Sequence, residues 1–333
     1  MLLHIKNEGN IFLEEVKKFK LEEGGFGKIR CKMCGGVKSG VYLQSYNLRL
    51  CLDCFKLFFE KRIQETIEKF RMFSKSDRVA VAVSGGKDSM ALAKSLKELG
   101  YNIHLFHIDC RIEEGNYSER CREAVEKFAK EEKLPISILD FKKEVEVDVK
   151  VAAKIANKEV CAVCGMVKRY VLNREAKDFD VIVTGHTLDD EASNLLSSII
   201  FWSEYLERHW PVLEEEGSLK KRAKPLCLTS ERETKLYCDI LNIPYVKDPC
   251  PLRGGKYVFF KKIIREIEEE MPSSTIGFYK GFLKKKQKLG LVAKKEALAP
   301  CKNCGYLTTT EVCGFCRLKE KVKQYLASKY NTV

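Results

Sequence analysis

The sequence predicts an α/β protein, a doubly wound parallel sheet flanked by a zinc ribbon at each end. Three observations predict it. Short β-branched runs alternate with helical stretches through the middle of the chain. One stretch, Arg78 to Lys94 (RVAVAVSGGKDSMALAK), passes from strand composition through a glycine turn into a helical pattern. Cysteines gather as Cys-x-x-Cys pairs near the two ends, at spacings that suit tetrahedral zinc.

Length and charge set the frame. At 333 residues and 45% apolar composition, the chain can bury a full α/β core and still carry accessory modules. No stretch approaches the apolar length that spans a bilayer, and the beginning, MLLHIKNEGN, has no signal-like core, so a soluble cytoplasmic protein with no membrane partner is expected. Fifteen cysteines in that compartment argue for metal ligation over disulfides. The net charge of +13 is uneven: Lys and Arg against Asp and Glu number 16 to 10 over residues 1–78, 26 to 30 over 79–250, and 18 to 7 over 251–333. Two basic ends around a slightly acidic centre suit arms that grip a polyanion.

In chain order, residues 1–30 hold a short amphipathic stretch to which no chemistry attaches. Cys31 and Cys34, then Cys51 and Cys54 after sixteen residues, make a four-thiolate zinc ribbon. A helix is expected from Phe55 to Phe73. The turn Ser84-Gly85-Gly86-Lys87-Asp88-Ser89 then sits between a strand and a helix. Its glycines let backbone N–H groups turn inward as an anion nest at the positive end of a helix dipole, and Lys87 with the hydroxyls of Ser84 and Ser89 adds donors. Phosphate is the natural guest. The loop is not the Walker A pattern, which is longer and ends Gly-Lys-Ser/Thr.

Further strands are expected at Asn102 to Asp109, Ile136 to Phe141 and Val181 to Thr184, with a helix from Ser118, its cap, to Lys130. In a doubly wound sheet ligands lie outside the carboxyl ends of the strands. Asp109 and the segment Gly185-His186-Thr187-Leu188-Asp189-Asp190 fall at such ends, the latter leading into a helix from Glu191. Cys161 and Cys164 precede Lys168, one helical turn on. Without a second pair nearby, their partners are open among Cys227, Cys238 and Cys250, with a redox pair or inert buried thiols as competing readings. Cys250 lies between two prolines that fix an extended backbone. From Lys256 onward rings and cations interleave, ending in Lys284, Lys285 and Lys286, which suits contact with a folded RNA, although rings at helical spacing also build cores. Cys301, Cys304, Cys313 and Cys316 form a second ribbon.

The Ser84 to Ser89 loop closely resembles the PP-loop of ATP pyrophosphatases. The order of ribbon, loop, Cys-x-x-Cys, Gly-His-x-x-Asp-Asp, Lys224-Pro-Leu226, a cysteine followed by proline, and ribbon resembles the tRNA two-thiolation enzymes of the TtuA type. That resemblance implies an ATP-dependent tRNA 2-thiouridine synthase that adenylates a uridine C2 carbonyl and replaces its oxygen with sulfur. ATP would lie on Ser84 to Ser89 with Asp109, Gly185 and His186, magnesium sharing the charge. Three cysteines, mapped to Cys161, Cys164 and Cys250, would hold a [4Fe-4S] cluster, Lys168 and Asp189 would be the catalytic groups, and two zinc ions would fill the ribbons. Implied partners are tRNA, a ubiquitin-like thiocarboxylate carrier or free sulfide as sulfur source, and a second copy in a homodimer. The chain divides on this reading into an extension (1–30), a ribbon (31–56), a linker helix (57–77), the catalytic domain (78–255), a basic tRNA-binding region (256–297) and a ribbon (298–333). Residues 1–30 have no counterpart in the resemblance, and Cys110 stands where the family more often has another residue. A PP-loop ligase acting on a small molecule, or a non-catalytic RNA-binding module, are the alternatives.

Overall fold

The structure, a computed structural model, describes residues 26–203, 206–285 and 298–330. It divides into two compact units, one ending at Phe59 and one beginning at Glu60.

The first unit is a three-stranded antiparallel sheet, β1 (Gly27–Arg30), β2 (Val37–Leu43) and β3 (Leu48–Cys51), followed by the start of helix α1 (Leu52–Lys69). Gly40 is pinned by its neighbours, since a Cβ there would meet the Leu50 carbonyl at 2.3 Å. The helix begins at Leu52, three residues before the expected start, because strand β3 hands over to it directly and Cys54 falls in its first turn. It stops at Lys69, short of Phe73: Arg71 adopts φ +50 and the Met72 N–H closes on Ile67 O.

The second unit is built on a six-stranded sheet in the order β6 (Ile136–Asp140), β5 (Asn102–Asp109), β4 (Arg78–Val83), β7 (Val181–Thr184), β9 (Arg222–Ala223), β8 (Val212–Leu213). All neighbours are parallel except β8 and β9. The chain runs outward from β4 to β6 and then crosses to β7 on the other side of β4. That reversal leaves a crevice at the carboxyl ends of β4 and β7, where ligands bind in this class of sheet. Val79, Ala80 and Val81 are wholly buried, as a central parallel strand requires.

Helices α2 (Lys87–Glu98), α3 (Tyr117–Glu132), α4 (Phe141–Val145), α5 (Val149–Ala156), α6 (Val160–Glu175) and α7 (Leu188–Ile200) connect the strands; α8 (Glu231–Ile240) follows the last of them, and α9 (Lys256–Glu270) and α10 (Ser274–Lys285) come next and pack on α7. Three local details depart from the sequence expectations. Ser118 is not the cap of α3, because its hydroxyl accepts the Ile112 N–H at 2.9 Å and the helix starts at Tyr117. Strand β6 ends at Asp140, whose carboxylate caps α4 by accepting the Lys142 and Lys143 N–H groups. Helix α7 starts at Leu188 rather than Glu191, since Thr187 and Asp190 close a capping box around its first turn.

The C-terminal ribbon, with strands β10 (Ala299–Pro300) and β11 (Leu307–Thr308) and helix α11 (Gly314–Tyr330), belongs to the same core. Helix α11 packs on α5 and α6. Phe315 stacks on Tyr170 at 3.9 Å between centroids, so the ribbon braces the helix that carries Cys161, Cys164 and Lys168.

Candidate active site

A cavity of about 510 Å³ fills the crevice, lined at one end by Ser84, Gly86, Lys87, Asp88 and Ser89 and at the other by Gly165, Lys168 and Arg169 of α6. The loop is held from within: the Ser84 N–H donates to Ser89 Oγ at 3.0 Å, and Ser89 Oγ donates to Gly86 O at 3.0 Å. Gly85 sits at φ +82, and a Cβ would press on the Cys121 backbone at 2.8 Å. Both facts exclude any other residue there. Gly86 caps α2 without a side-chain acceptor, so the helix keeps its positive end open for an anion. Gly185 lies directly against the first turn of α2, where a Cβ would meet the Ser89 N atom at 2.9 Å. The exposed His186 pairs its Nδ1 with Thr184 Oγ1 at 2.7 Å and lines the cavity.

Charges around the loop are paired. Lys87 Nζ lies 2.9 Å from Asp88 and 3.7 Å from Glu231, and Thr234 donates to Asp88. Lys261, 3% exposed, bridges Asp190 and Glu231. In the sequence Lys261 reads as one of the cations interleaved with rings from Lys256 onward, because no spacing rule marks a lysine that folds inward. Asp189 is in the first turn of α7 and not at the strand end; its Oδ2 accepts the Glu231 N–H at 2.9 Å, and burial pushes its carboxyl up to about 6. Asp190, not Asp189, lines the cavity. Asp109 ends β5 and is 4% exposed, but Oδ1 accepts the Arg111 N–H and the side chain does not line the cavity.

Beyond Lys168 lies a group of thiols. Cys164 Sγ is 3.6 Å from Cys110 Sγ, and Cys161 Sγ lies 3.8 Å from Leu252 O, two residues past Cys250. Cys164 and Cys250 pack on one core cluster. The Cys110 hydrogen bond, helped by the Lys168 charge and opposed by burial, brings Cys164 down to about 6; the Cys110 and Cys164 charges in turn hold Lys168 well above its ordinary value. Cys227 is instead fully buried near Glu191 and Tyr279, and Cys238 donates to Lys87 O behind the loop. Of the three candidate partners, only Cys250 shares the surroundings of the pair. Cys110 was seen in the sequence, but a single cysteine after a strand carries no signal of its own.

These thiols fit an iron–sulfur cluster. They are soft donors beside the half-buried Lys168, whose charge stabilises thiolate, and Cys161, Cys164 and Cys250 do not gather within 4.8 Å as the ligands of one ion do in the ribbons. A cubane spreads its thiolates over separate irons. By contrast, the Sγ atoms of Cys31, Cys34, Cys51 and Cys54 lie within 4.8 Å of one another, as do those of Cys301, Cys304, Cys313 and Cys316. Each foursome fits one tetrahedral metal ion. Among the described residues no other group of three or more His, Cys, Asp or Glu ligands gathers so closely. Against burial, which raises it, the Cys34 and Cys51 N–H groups hold Cys31 down to about 6.

Of the basic region, Lys280, Lys284 and Lys285 are exposed, while Lys286 lies outside the described residues. Phe260, Tyr279 and Phe282 are buried, so those rings serve the core; Phe259 stays 60% exposed. Among the described residues no helix is long and apolar enough to cross a membrane.

A parallel sheet with an SGGKDS loop at its reversal point defines an ATP-using enzyme of the PP-loop class. The family model described as a PP-loop domain matches residues 56–257. The tRNA-5-methyluridine(54) 2-sulfurtransferase of Thermotoga maritima is 41% identical over 302 residues, covering 89% of this chain and 98% of that one. The enzyme of the same name from Thermus thermophilus is 38% identical over 88% of this chain and 91% of its own. Among solved structures, the U34-tRNA thiolase NcsA from Methanococcus maripaludis, with its [4Fe-4S] cluster, superposes with a TM-score of 0.73 at 28% identity, covering 87% of this chain and 95% of that one. The chain belongs to the PP-loop family of tRNA 2-thiolation sulfurtransferases and is an ATP-dependent enzyme acting on tRNA.

Proposed function

We propose that the protein is a 2-sulfurtransferase for 5-methyluridine at tRNA position 54. The observation that carries the chemistry is the cavity joining the pyrophosphate-binding loop to Gly165 and Lys168, on the helix that also carries Cys161 and Cys164. Activation and sulfur transfer then share one uridine without its release. The choice of position rests on the relatives named for uridine 54, which are more similar to this chain than the U34 thiolase.

In this reading ATP seats its β and γ phosphates on Ser84 to Ser89, with Gly185 and His186 closing over them and Asp109 shaping the neighbouring strand end. Lys87 and the open end of α2 take up the negative charge that builds on departing pyrophosphate. Magnesium would be held by the carboxylates that face the loop, Asp88 and Glu231, displacing Lys87 from its pairing. Lys168 places a positive charge beside the C2 oxygen as it attacks the α-phosphorus. Asp189, buried and accepting the Glu231 N–H, would act by holding Glu231 in place beside the loop. Cys161, Cys164 and Cys250 would hold a [4Fe-4S] cluster, which would supply a place to bind a sulfur species. Sulfur replaces the activated oxygen, and AMP leaves with it. Zinc would fill each four-cysteine ribbon.

The sulfur arrives from a ubiquitin-like thiocarboxylate carrier or as free sulfide. The exposed Phe201, Trp202 and Phe259 support self-association as a homodimer. A eukaryotic relative named a cytoplasmic thiolation protein supports the cytoplasm as its place. Mass spectrometry of tRNA nucleosides and of T-loop fragments from a strain lacking the gene tests the reading. Loss of the 2-thio group at position 54 is expected, and intact thiolation there overturns it.

A further inference from the structure

A second cavity, of about 630 Å³, adjoins the first and shares Arg169, Thr184 and His186 with it. Its wall carries Arg169, Arg208, Arg222 and Lys224 against one acid, Glu191. That acid is already neutralised: Lys224 Nζ lies 2.8 Å from it and His209 Nδ1 3.7 Å. Three guanidiniums are left over. Arg208 reaches the neutral hydroxyls of Ser198 and Ser203 at 3.0 and 3.2 Å and the ring of His209. Among the described residues the guanidiniums of Arg169 and Arg222 have no hydrogen-bond or ion-pair partner. Burial first, then the charge of Arg222 and last that of Arg208, hold Arg169 below its ordinary value against the opposing pull of Tyr306 and Cys164.

Uncompensated cations gathered along one concave wall repel one another, and a bound anion offsets that repulsion. We propose that this second cavity seats the tRNA backbone beside the target uridine, with Arg169, Arg208 and Arg222 donating to phosphodiester oxygens. The inference rests on the tRNA thiolation reading and adds to it the place where the strand is held. Arginine forks match phosphate oxygens in pairs, and three of them suit consecutive phosphodiesters better than the single carboxylate of a carrier tail. Arg169 directly follows Lys168 in α6. A strand anchored on Arg169 therefore delivers its neighbouring base to Lys168 and the thiols. Specificity for the nucleotide next to the target then comes from position, since phosphate contacts carry no base code.

The test is equilibrium binding of unmodified tRNA to the loaded full-length enzyme across a salt series, alongside thiolation of the same tRNA. Arg208→Gln and Arg222→Gln should each weaken binding about tenfold near physiological salt and flatten the salt slope by about one, and Arg222→Lys should restore most of it. Neutral methylphosphonates at the linkages flanking the target uridine should weaken wild-type binding by a like factor and add nothing to Arg222→Gln. Should the glutamine variants fold poorly, the methylphosphonate comparison on wild type decides. Unchanged affinity and slope in the variants, or indifference of the wild type to the neutral linkages, overturns the proposal. Normal tRNA binding with loss of transfer only from a protein thiocarboxylate, free sulfide still serving, reassigns the cavity to the carrier tail and also overturns it. A wild-type enzyme that binds tRNA through these arginines yet forms no 2-thiouridine sinks the thiolation reading alone.

Discussion

Lys87 owes its importance to position more than to charge, because the chain has many lysines and only this one stands on the first turn of α2 facing the loop. Lys87→Ala should abolish tRNA-dependent AMP formation while leaving tRNA affinity nearly unchanged, and AMP release measured with and without tRNA checks it. Cys250→Ala, prepared without oxygen, should lose iron and its visible absorbance but keep both ribbon metals; Cys227→Ala should keep all three. Metal analysis of the two variants reads the outcome directly, and the reverse pattern would remove Cys250 from the cluster. Asp189 offers a prediction with a sign. Its folded value of about 6 stands above the ordinary 3.8, so its contribution to stability is full below about pH 4 and is lost as pH rises through 6. Asp189→Asn, which keeps an acceptor for the Glu231 N–H, should therefore melt about 2 °C above wild type at pH 7, with the gap closing toward pH 4.

At the scale of elements, the loop and the C-terminal ribbon are the two parts that tolerate least. Gly85→Ala must place a side chain at φ +82 and against the Cys121 backbone, at a cost of about 1–2 kcal/mol for the backbone alone and more for the overlap. Loss of ATP binding before loss of the fold is expected, since the strain falls on the turn. The ribbon acts through packing. Cys301, Cys313 and Phe315 share the core cluster of α6, so unfolding the ribbon uncovers one side of the helix that carries the pair of thiols. Cys313→Ser should thus lower iron retention as well as zinc, although Cys313 is not among the proposed cluster ligands. Iron content that stays at the wild-type level while zinc falls by half would show that the two parts are independent.

For the whole molecule, the excess charge sits at the ends of the sequence, and the fold adds a second positive surface that the sequence count does not show. Lys284 and Lys285 are exposed at the end of α10 and contribute long-range attraction. Changing both to Ala should reduce the salt slope of tRNA binding by about two with no effect on kcat at saturating tRNA. Unchanged slope would place tRNA elsewhere on the molecule.

The strands Asn102 to Asp109 and Val181 to Thr184 were legible to the residue, because a buried parallel strand is a run of β-branched and apolar residues broken by turn formers. Both four-cysteine groups and the phosphate loop were legible too, since each is a local pattern whose chemistry needs only near neighbours in sequence. Helix starts at Tyr117 and Leu188 were misplaced by one to three residues: a polar side chain near a start can cap the helix or, like Ser118, satisfy a distant N–H, and only tertiary contact chooses. The same holds for the site. The sequence alone determined the fold class, the ATP loop, the ribbons and the thiol pair. For the third cysteine the resemblance offered Cys250, with Cys227 as the alternative. Only the tertiary structure sets Cys250 on the core cluster that Cys164 packs against, buries Lys261 between Asp190 and Glu231, and brings Arg169, Arg208 and Arg222 to one cavity. Those residues come from separate elements, and the sheet reversal that brings them together is a property of the packed chain, with no trace in any local spacing.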